Sequence, residues 1–313
     1  MTSRGVGRWV VGGLWLVLSV TPVTGQDLDP RAYARFPVKM RFVIGGFGYS
    51  DGGIVTDATS PVQDAHATVE SASLGAGTSF GLFGQTAQIF AVLPYSWAQA
   101  SGLVGGQATS ITRAGLSDMR IRLSVLVHGA PALTRAEMAG LPHRTVLGTS
   151  LTVVAPTGQN DSTKLVNLGS NRWAFRPELA ISQPVGERWL VDAYAGVWLF
   201  TANDAYYPGT SVRTQDPMSA VQAHVSYTLK SQAWAAFDAT FYTGGRSTVN
   251  GVPGPDRQSN TRVGATVVFP VGTRHSVKVA CSTGAVVRFG ANFTTLSVAW
   301  QTGWFGSGTA PSR

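Results

Sequence analysis

The sequence predicts an all-β fold, a single antiparallel transmembrane β-barrel of about twelve strands and of the bacterial outer-membrane type. Three observations predict this class. Many short segments alternate apolar and polar residues with a period of two. Tight connectors take turns along the chain with long connectors rich in Gly, Asn, Asp and Pro. Charged residues make up only 13% of the chain, and no apolar run after residue 25 is long enough for a membrane-spanning helix.

The chain begins with the pattern of an export signal. Arg4 and Arg8 form a basic region, an apolar stretch covers residues 9–20, and small residues follow at 23–25. The apolar stretch is too short for a membrane anchor. We therefore expect four parts: a secretory signal peptide at 1–25, a periplasmic N-terminal segment that enters the lumen at 26–36, the barrel at 37–304, and a flexible tail at 305–313.

Period-two alternation defines the strands. Met119, Ile121 and Leu123, for example, alternate with Arg120 and Arg122. A helix would place apolar residues three and four apart, and these segments do not. The predicted strands are 37–49, 65–80, 86–98, 116–128, 145–155, 173–183, 189–200, 217–229, 233–243, 259–269, 275–283 and 290–304. The composition of residues 130–143 predicts a short periplasmic helix instead of a tight turn.

Aromatic residues lie near many predicted strand ends. Trp and Tyr favour the headgroup zone of a bilayer, where their apolar bodies and polar tips are both accommodated. Trp304, near the end of the last strand, is similar to the terminal aromatic residue that the barrel-assembly machinery reads. The aromatic residues expected at the two membrane interfaces are Tyr49, Tyr95, Trp97, Trp173, Trp189, Trp198, Phe200, Tyr227, Trp234, Tyr242, Trp300 and Trp304.

The alternation also predicts charged residues inside the barrel. Two interpretations fit this set: a ladder of paired charges that fills a narrow lumen, or the wall of a polar conduit. An unpaired charge in a dry interior is costly, so each group needs a partner or water. A barrel of this size lies between side-chain-filled barrels and open porins, so we expect a narrow, partly plugged lumen. The predicted lumen-lining residues are Lys39, Arg41, Glu70, Asp118, Arg120, Arg122, Arg176, Glu178, Asp192, His224, Asp238, Arg262 and Lys278.

The sequence contains few signs of catalysis, metal binding or nucleic-acid binding. The five histidines have no metal-ligand spacing, and no nucleophile motif is present, so we expect neither a metal nor a cofactor. His224 is the one credible base for an outer-membrane enzyme, and a structural histidine is the competing interpretation. Cys281 lies on an apolar phase and is expected to face lipid. The modest positive charge is spread out, which argues against nucleic acid and is compatible with lipopolysaccharide.

Several short motifs, in a fixed order, carry a family resemblance. They are PRAYARFPV at 30–38, APTG at 155–158, LVNLGSNRW at 165–173, YAGVWLF at 194–200, YPG at 207–209, QDP at 215–217 and AHVSY at 223–227. Together they resemble the outer-membrane family named after the meta-cleavage pathway of phenol degradation. The resemblance covers nearly the whole mature chain. It implies a Gram-negative outer-membrane barrel that moves aromatic or other hydrophobic small molecules, and it carries over no site residues.

The leading hypothesis is therefore passive uptake of small hydrophobic or aromatic molecules across the cell outer membrane, with no enzymatic activity. Loop aromatics would capture the solute, and the candidates are Trp173, Tyr206 and Tyr207. The expected partners are outer-membrane lipid, lipopolysaccharide, the barrel-assembly machinery and the solute itself. Two alternatives stay open: a sealed structural or surface-binding barrel without transport, and an outer-membrane enzyme.

Overall fold

The computed structural model describes residues 28–56, 62–138, 144–229 and 232–305. The predicted signal peptide at 1–25, the tail beyond Phe305 and His143 lie outside the described residues. Within the described part of the chain, no helix is long and apolar enough to cross a bilayer.

Most described residues belong to β-strands. The strands are β1 Met40–Val55, β2 Val62–Leu82, β3 Gln85–Val104, β4 Gln107–Leu116, β5 Met119–His128, β6 Val146–Ala155, β7 Ala174–Val185, β8 Trp189–Phe200, β9 Asn203–Tyr206, β10 Ser211–Gln215, β11 Met218–Thr228, β12 Trp234–Gly244, β13 Ser247–Val249, β14 Val252–Pro253, β15 Gln258–Val271, β16 His275–Val286 and β17 Gly290–Phe305. The helix α1 is Arg135–Met138, within the region where a short helix is predicted.

The strands close into one antiparallel barrel. β1 pairs with β17 from Met40 opposite Phe305 to Val55 opposite Gly290, which joins the first strand to the last. β4 and β5 both pair with β3 and are two halves of one strand that breaks at Ser117. The barrel therefore has twelve strands, and the predicted fold class is confirmed.

The strands around β3 run further than predicted. The connector predicted after residue 98 is instead a continuation of β3 into a hairpin with β4, which turns at Gly105 and Gly106. Both glycines have positive φ, 59° and 81°, as tight hairpin turns require. Side chains along β4 are exposed on both faces at most positions, so no buried face selects an alternating sequence there.

The outer surface is apolar and the inner surface is polar. On β11, for example, Val221 and Val225 point outward, whereas Gln222, His224 and Ser226 are buried inside. Leu179, which is 68% exposed, shows how fully the outer side chains face the surroundings. A closed barrel with this polarity has the surface expected of a protein that spans a bilayer.

Aromatic residues on the outside form two belts. We call the end of the barrel with tight connectors, such as that between β7 and β8, the short-turn end, and the opposite end the long-loop end. Tyr49, Tyr95, Trp97 and Trp173 lie near the long-loop end, and Trp189, Tyr227, Phe269 and Trp304 lie near the short-turn end.

Four aromatic residues expected at the interfaces lie on the inward side of their strands instead: Trp198, Phe200, Trp234 and Tyr242. Trp198 is 1% exposed, and Tyr242 is also buried; both pack with Met218 and Val154. Each lies on the inward face of its strand together with polar neighbours. The alternation therefore predicts the face of these residues better than their proximity to a strand end does.

Three charges predicted inside the lumen do not lie there. Lys39 precedes β1 and is exposed, and Arg41 points outward because the next residue, Phe42, is buried inside. Glu70 points outward between Tyr49 and Trp97, at the level of the aromatic belt. The many glycines and serines of β1 and β2 carry no apolar signal, so the sequence left the phase of these strands open.

Long connectors form a lid over one end of the barrel. A separate four-stranded sheet is formed by β9, β10, β13 and β14, in segments where the sequence predicts only long connectors. The connector at 156–172 covers the edge of β4. The backbone N–H of Gln159 donates to the Leu116 carbonyl at 2.7 Å, and Arg113 Nε donates to the Val166 carbonyl at 2.9 Å.

Candidate functional site in the barrel lumen

The N-terminal segment, Leu28–Val38, lies inside the barrel at its short-turn end. Tyr33 is fully buried against Leu126, Val146 and Tyr194, and its ring meets the Tyr194 ring edge-on at 5.0 Å. Its hydroxyl lies 2.7 Å from Ser150 Oγ and donates to Glu178 Oε1 at 2.9 Å. Burial raises the pKa of Tyr33 to about 12, so this hydroxyl stays a donor at all ordinary pH values.

Arg31 and Asp29 attach the segment to further strands of the barrel wall. Arg31 donates to Ser226 Oγ at 2.8 Å and to Thr228 Oγ1 at 2.7 Å, and its guanidinium lies 4.6 Å from the centre of the Trp234 ring. Asp29 forms ion pairs with Lys278 at 3.1 Å and Arg122 at 3.5 Å. Contacts to several strands fix the position of the segment within the lumen.

Charged side chains of β5 and β7 form a buried cluster beside Tyr33. Glu178 accepts a hydrogen bond from Arg122 at 3.3 Å and lies 3.5 Å from Arg176 Nε. The guanidinium of Arg122 lies over the Tyr33 ring at 4.9 Å, and that of Arg176 lies over Trp198 at 5.0 Å. One carboxylate of the wall thus contacts two guanidinium groups, and Asp29 of the N-terminal segment supplies a second negative charge beside Arg122.

A second buried cluster contains His224. Its Nδ1 atom lies 2.7 Å from Asp238 Oδ1, and Asp238 also accepts a hydrogen bond of 2.8 Å from Thr266. Asp192 accepts hydrogen bonds from Ser182 and from the backbone of Arg31. His224 Nε2 is buried and makes no hydrogen bond within the described residues, so no serine there forms a nucleophile–base pair with it.

Two adjacent cavities lie within the lumen. The outer cavity, of about 410 Å³, lies towards the lid and includes Arg120, Arg172 and Arg262 among its charged residues. The inner cavity, of about 350 Å³, is bounded by Leu28 and Asp29 of the N-terminal segment. The two cavities are neighbours along the barrel axis, because they share the wall residues Val92, Arg120, Ser282, Thr295 and Ser297.

The wall of the outer cavity is amphipathic. Hydroxyl groups of Ser71, Ser73 and Ser96 line one part, and Arg262 on another part donates to Ser282 at 2.9 Å. The apolar part of the wall comprises Val69, Val154, Leu168, Phe200 and Phe293. This wall can solvate an apolar body together with a polar group.

Asp118 and Arg172 link the wall to the loops at the roof of the outer cavity. Asp118 accepts hydrogen bonds from the backbone of Gly158 at 2.9 Å and of Ser170 at 2.8 Å. Arg172 donates through Nη2 to Gln215 of the lid, and its guanidinium lies 4.4 Å from the centre of the Phe200 ring. Burial and the neighbouring Arg213 lower the pKa of Arg172 to about 9.

The structure places the other predicted lumen residues inside the barrel. Asp118, Arg120, Arg122, Arg176, Asp238, Arg262 and Lys278 line one cavity or both, and Glu178, Asp192 and His224 are buried beside them. What each residue does for a solute stays a prediction. The described residues contain no group of three or more His, Cys, Asp or Glu side chains that could hold a metal ion.

The three predicted capture residues do not line either cavity. Trp173 points outward, 45% exposed, because it is one residue out of phase with buried Ala174. Tyr206 is buried in the lid with Arg213 over its ring, and Tyr207 follows it in the turn to β10. The aromatic rings that do line the outer cavity include Phe200 and Phe293.

Sequence reasoning also missed some functional candidates. Asp29, Arg31 and Tyr33 were not singled out, although their segment was expected to enter the lumen. The available signal was the high proportion of charged and aromatic residues at 29–36, because a segment that contacts only water does not need this combination of side chains. Arg172 lies in a predicted connector, and its burial depends on the lid sheet, whose strands follow later in the sequence.

Comparison with known proteins agrees with this architecture. Residues 45–306 match the family described as "Putative MetA-pathway of phenol degradation". The COG4313 outer membrane channel from Pseudomonas putida F1 has a similar fold, with a TM-score of 0.75 at 20% identity over 89% of this chain and 100% of that one. The beta domain of the Bordetella autotransporter BrkA aligns with a TM-score of 0.50 at 11% identity over 85% of this chain and 100% of that one. No curated protein matches the sequence significantly.

Proposed function

The chain belongs to the MetA-pathway phenol-degradation family, and from that premise we propose that it is an outer-membrane channel for passive uptake of small hydrophobic or aromatic molecules. The observation that carries this proposal is the pair of adjacent cavities inside the barrel, of which the outer one has an amphipathic wall. A barrel built only as a scaffold of this size has no need to leave two neighbouring cavities in its core.

In this proposal the short-turn end faces the periplasm and the lid faces outward. The apolar wall formed by Phe200, Phe293 and their neighbours receives the solute. The N-terminal segment, anchored by Arg31 and Tyr33, closes the periplasmic end and keeps hydrophilic solutes out. Passage then requires the N-terminal segment to move, so the rate of transport depends on how strongly the contacts of this segment hold it in place.

The outer surface of the barrel contacts the membrane partners. Outward valine, leucine and phenylalanine side chains contact lipid, and the basic residues of the loops face lipopolysaccharide phosphates. Trp304, which lies on the outside near the end of β17, offers the terminal aromatic group to the barrel-assembly machinery.

Uptake by intact cells tests the channel. Gram-negative cells that express the protein are compared with empty-vector cells for initial uptake of radiolabelled phenol, benzoate and naphthalene, because lipopolysaccharide slows the direct passage of such compounds. We expect faster uptake of at least one compound. Equal rates for all three would reject the proposal.

A sealed barrel is the second candidate, and the fully anchored N-terminal segment is the observation that favours it. Cell uptake separates the two functions, since a sealed barrel accelerates no solute. A near-zero conductance in planar bilayers, together with unchanged uptake, would favour the sealed barrel.

A further inference from the structure

Arg172 lines the outer cavity and has an unused hydrogen-bond donor. Its Nη2 atom is taken by Gln215, but its Nη1 atom is buried and makes no hydrogen bond within the described residues. No carboxylate of the described chain lies within ion-pair distance of it. Asp118, which also lines this cavity, has its oxygens occupied by Gly158 and Ser170.

The electrostatic surroundings of Arg172 favour an added anion. Burial and the nearby charge of Arg213 lower the pKa of Arg172, and Asp118 offsets only part of this effect. A buried cation without a counter-charge is costly, and a bound anion offsets that cost. The flat guanidinium group suits the two oxygens of a carboxylate.

A second arginine with an unused donor lines the inner cavity, and this one has Glu178 3.5 Å from its Nε atom. Arg176 lies four residues after Arg172 and points inward from β7, and its Nη1 atom is also buried without a hydrogen bond in the described chain. Arg122 and Lys278 line the same cavity. Guanidinium and ammonium groups therefore continue along the two cavities from the lid to the N-terminal segment.

A carboxylate already occupies the inner end of this series. Asp29 of the N-terminal segment is held by Lys278 at 3.1 Å and by Arg122 at 3.5 Å, at the boundary of the inner cavity. The lumen thus binds a carboxylate supplied by its own chain. An incoming carboxylate would compete with Asp29 for the same cations and weaken the attachment of the segment.

We propose that the lumen selects amphipathic monocarboxylates, with an aromatic or short aliphatic body, whose carboxylate binds first Arg172 and then Arg176. The apolar body lies against Phe200, Val154 and Leu168 of the outer cavity. This inference rests on the proposed function and narrows its substrates from hydrophobic molecules in general to anionic ones. A neutral or cationic solute of the same shape lacks the group that these arginines bind.

Calorimetric binding to the full-length protein in non-ionic detergent tests the selection. The probes are 3-phenylpropionate and its neutral counterpart 3-phenylpropanamide at pH 8, with empty micelles subtracted. We expect the carboxylate to bind about tenfold more tightly, as one charge-assisted contact predicts. Arg172→Gln should remove that advantage and leave amide binding within about twofold of wild type.

Two further variants complete the design. Arg172→Lys keeps the charge but loses the fork of donors, so it should restore part of the advantage. Arg188→Gln removes an exposed arginine at the short-turn end and should change neither affinity. Unchanged amide binding shows that the Arg172→Gln barrel is folded.

Equal affinities of wild type for the two probes, or equal losses of both in Arg172→Gln, would overturn the inference. Binding of neither probe would also overturn it. The proposed channel is judged separately by the cell-uptake experiment, in which neutral phenol and naphthalene can still be accelerated.

Discussion

The Tyr33 hydroxyl donates a 2.9 Å hydrogen bond to Oε1 of Glu178, and this bond connects the N-terminal segment to the charged cluster of the barrel wall. Glu178 is the same carboxylate that contacts Arg122 and Arg176. The position of the segment and the charge balance of the lumen are therefore coupled. Changes on either side of this bond should alter how far the lumen is closed.

Replacing Tyr33 should loosen the segment. Tyr33→Ala removes a buried ring and both hydroxyl contacts, at a cost of about 3–5 kcal/mol for a large buried aromatic residue. Tyr33→Phe keeps the ring and loses the hydroxyl, at about 1–3 kcal/mol. We expect single-channel conductance in planar bilayers to rise clearly in the first variant and less in the second. Wild-type conductance in Tyr33→Ala would show that the segment does not limit ion flow.

Gly148 should be needed for Tyr33 to dock. A Cβ atom at position 148 would lie 2.3 Å from Tyr33 Cδ1, so any side chain there displaces the ring. Gly148→Val should raise conductance and expose the N-terminal segment to trypsin at Arg31 and Arg35. Gly45→Val is the matched control, because a Cβ at that strand position has no atom within 4 Å. If the two variants behaved alike, the steric explanation would be wrong.

Asp29 should make closure sensitive to acid. Burial raises the pKa of Asp29, but Lys278 and Arg122 outweigh that effect and hold it below 3.8. Because the docked carboxyl has the lower pKa, its stabilising contribution is complete above about pH 4 and is lost as pH falls through the docked value. Wild-type conductance should be constant from neutral pH to about pH 5 and rise only in stronger acid.

Asp29→Asn removes the charge at every pH and supplies the control for this profile. Its conductance should exceed that of wild type at neutral pH and show a weaker rise in acid. An acid-induced rise of the same size in both proteins would place the responsible group elsewhere.

An arginine on the outward face of β11 should lower the free energy of unfolding by an amount that depends on its depth in the bilayer. Val225 pairs with Val191 and Phe237 on the outside of the barrel, whereas Tyr227 lies in the aromatic belt of the short-turn end. Val225→Arg should reduce the free energy of unfolding in lipid vesicles by about 2–4 kcal/mol, and Tyr227→Arg by about 0–1 kcal/mol beyond its lost ring contacts. Urea titrations in vesicles measure both. Equal costs would argue against a bilayer at this surface.

Much of this architecture was predictable from residue order. All twelve barrel strands were expected, because a wall with lipid on one side and a polar lumen on the other imposes a period of two. The inward positions of Arg122, His224 and Asp238 followed from the same period. The prediction failed where that constraint is weak. In the glycine-rich β1 the predicted phase put Arg41 on the wrong face, and the hairpin of β3 and β4 beyond the aromatic belts was not predicted.

The amino-acid order by itself determined the barrel, its strand count and the face that most side chains occupy, since these depend on local alternation. The tertiary structure decided which charges meet: Asp29 with Lys278 across 249 positions of sequence, and Arg172 with Gln215 of the lid. Such pairings depend on strand register, on the path of the N-terminal segment and on how two loops join into one sheet. None of these leaves a periodic signal, because each brings together residues that are distant in sequence and placed only by closure of the barrel.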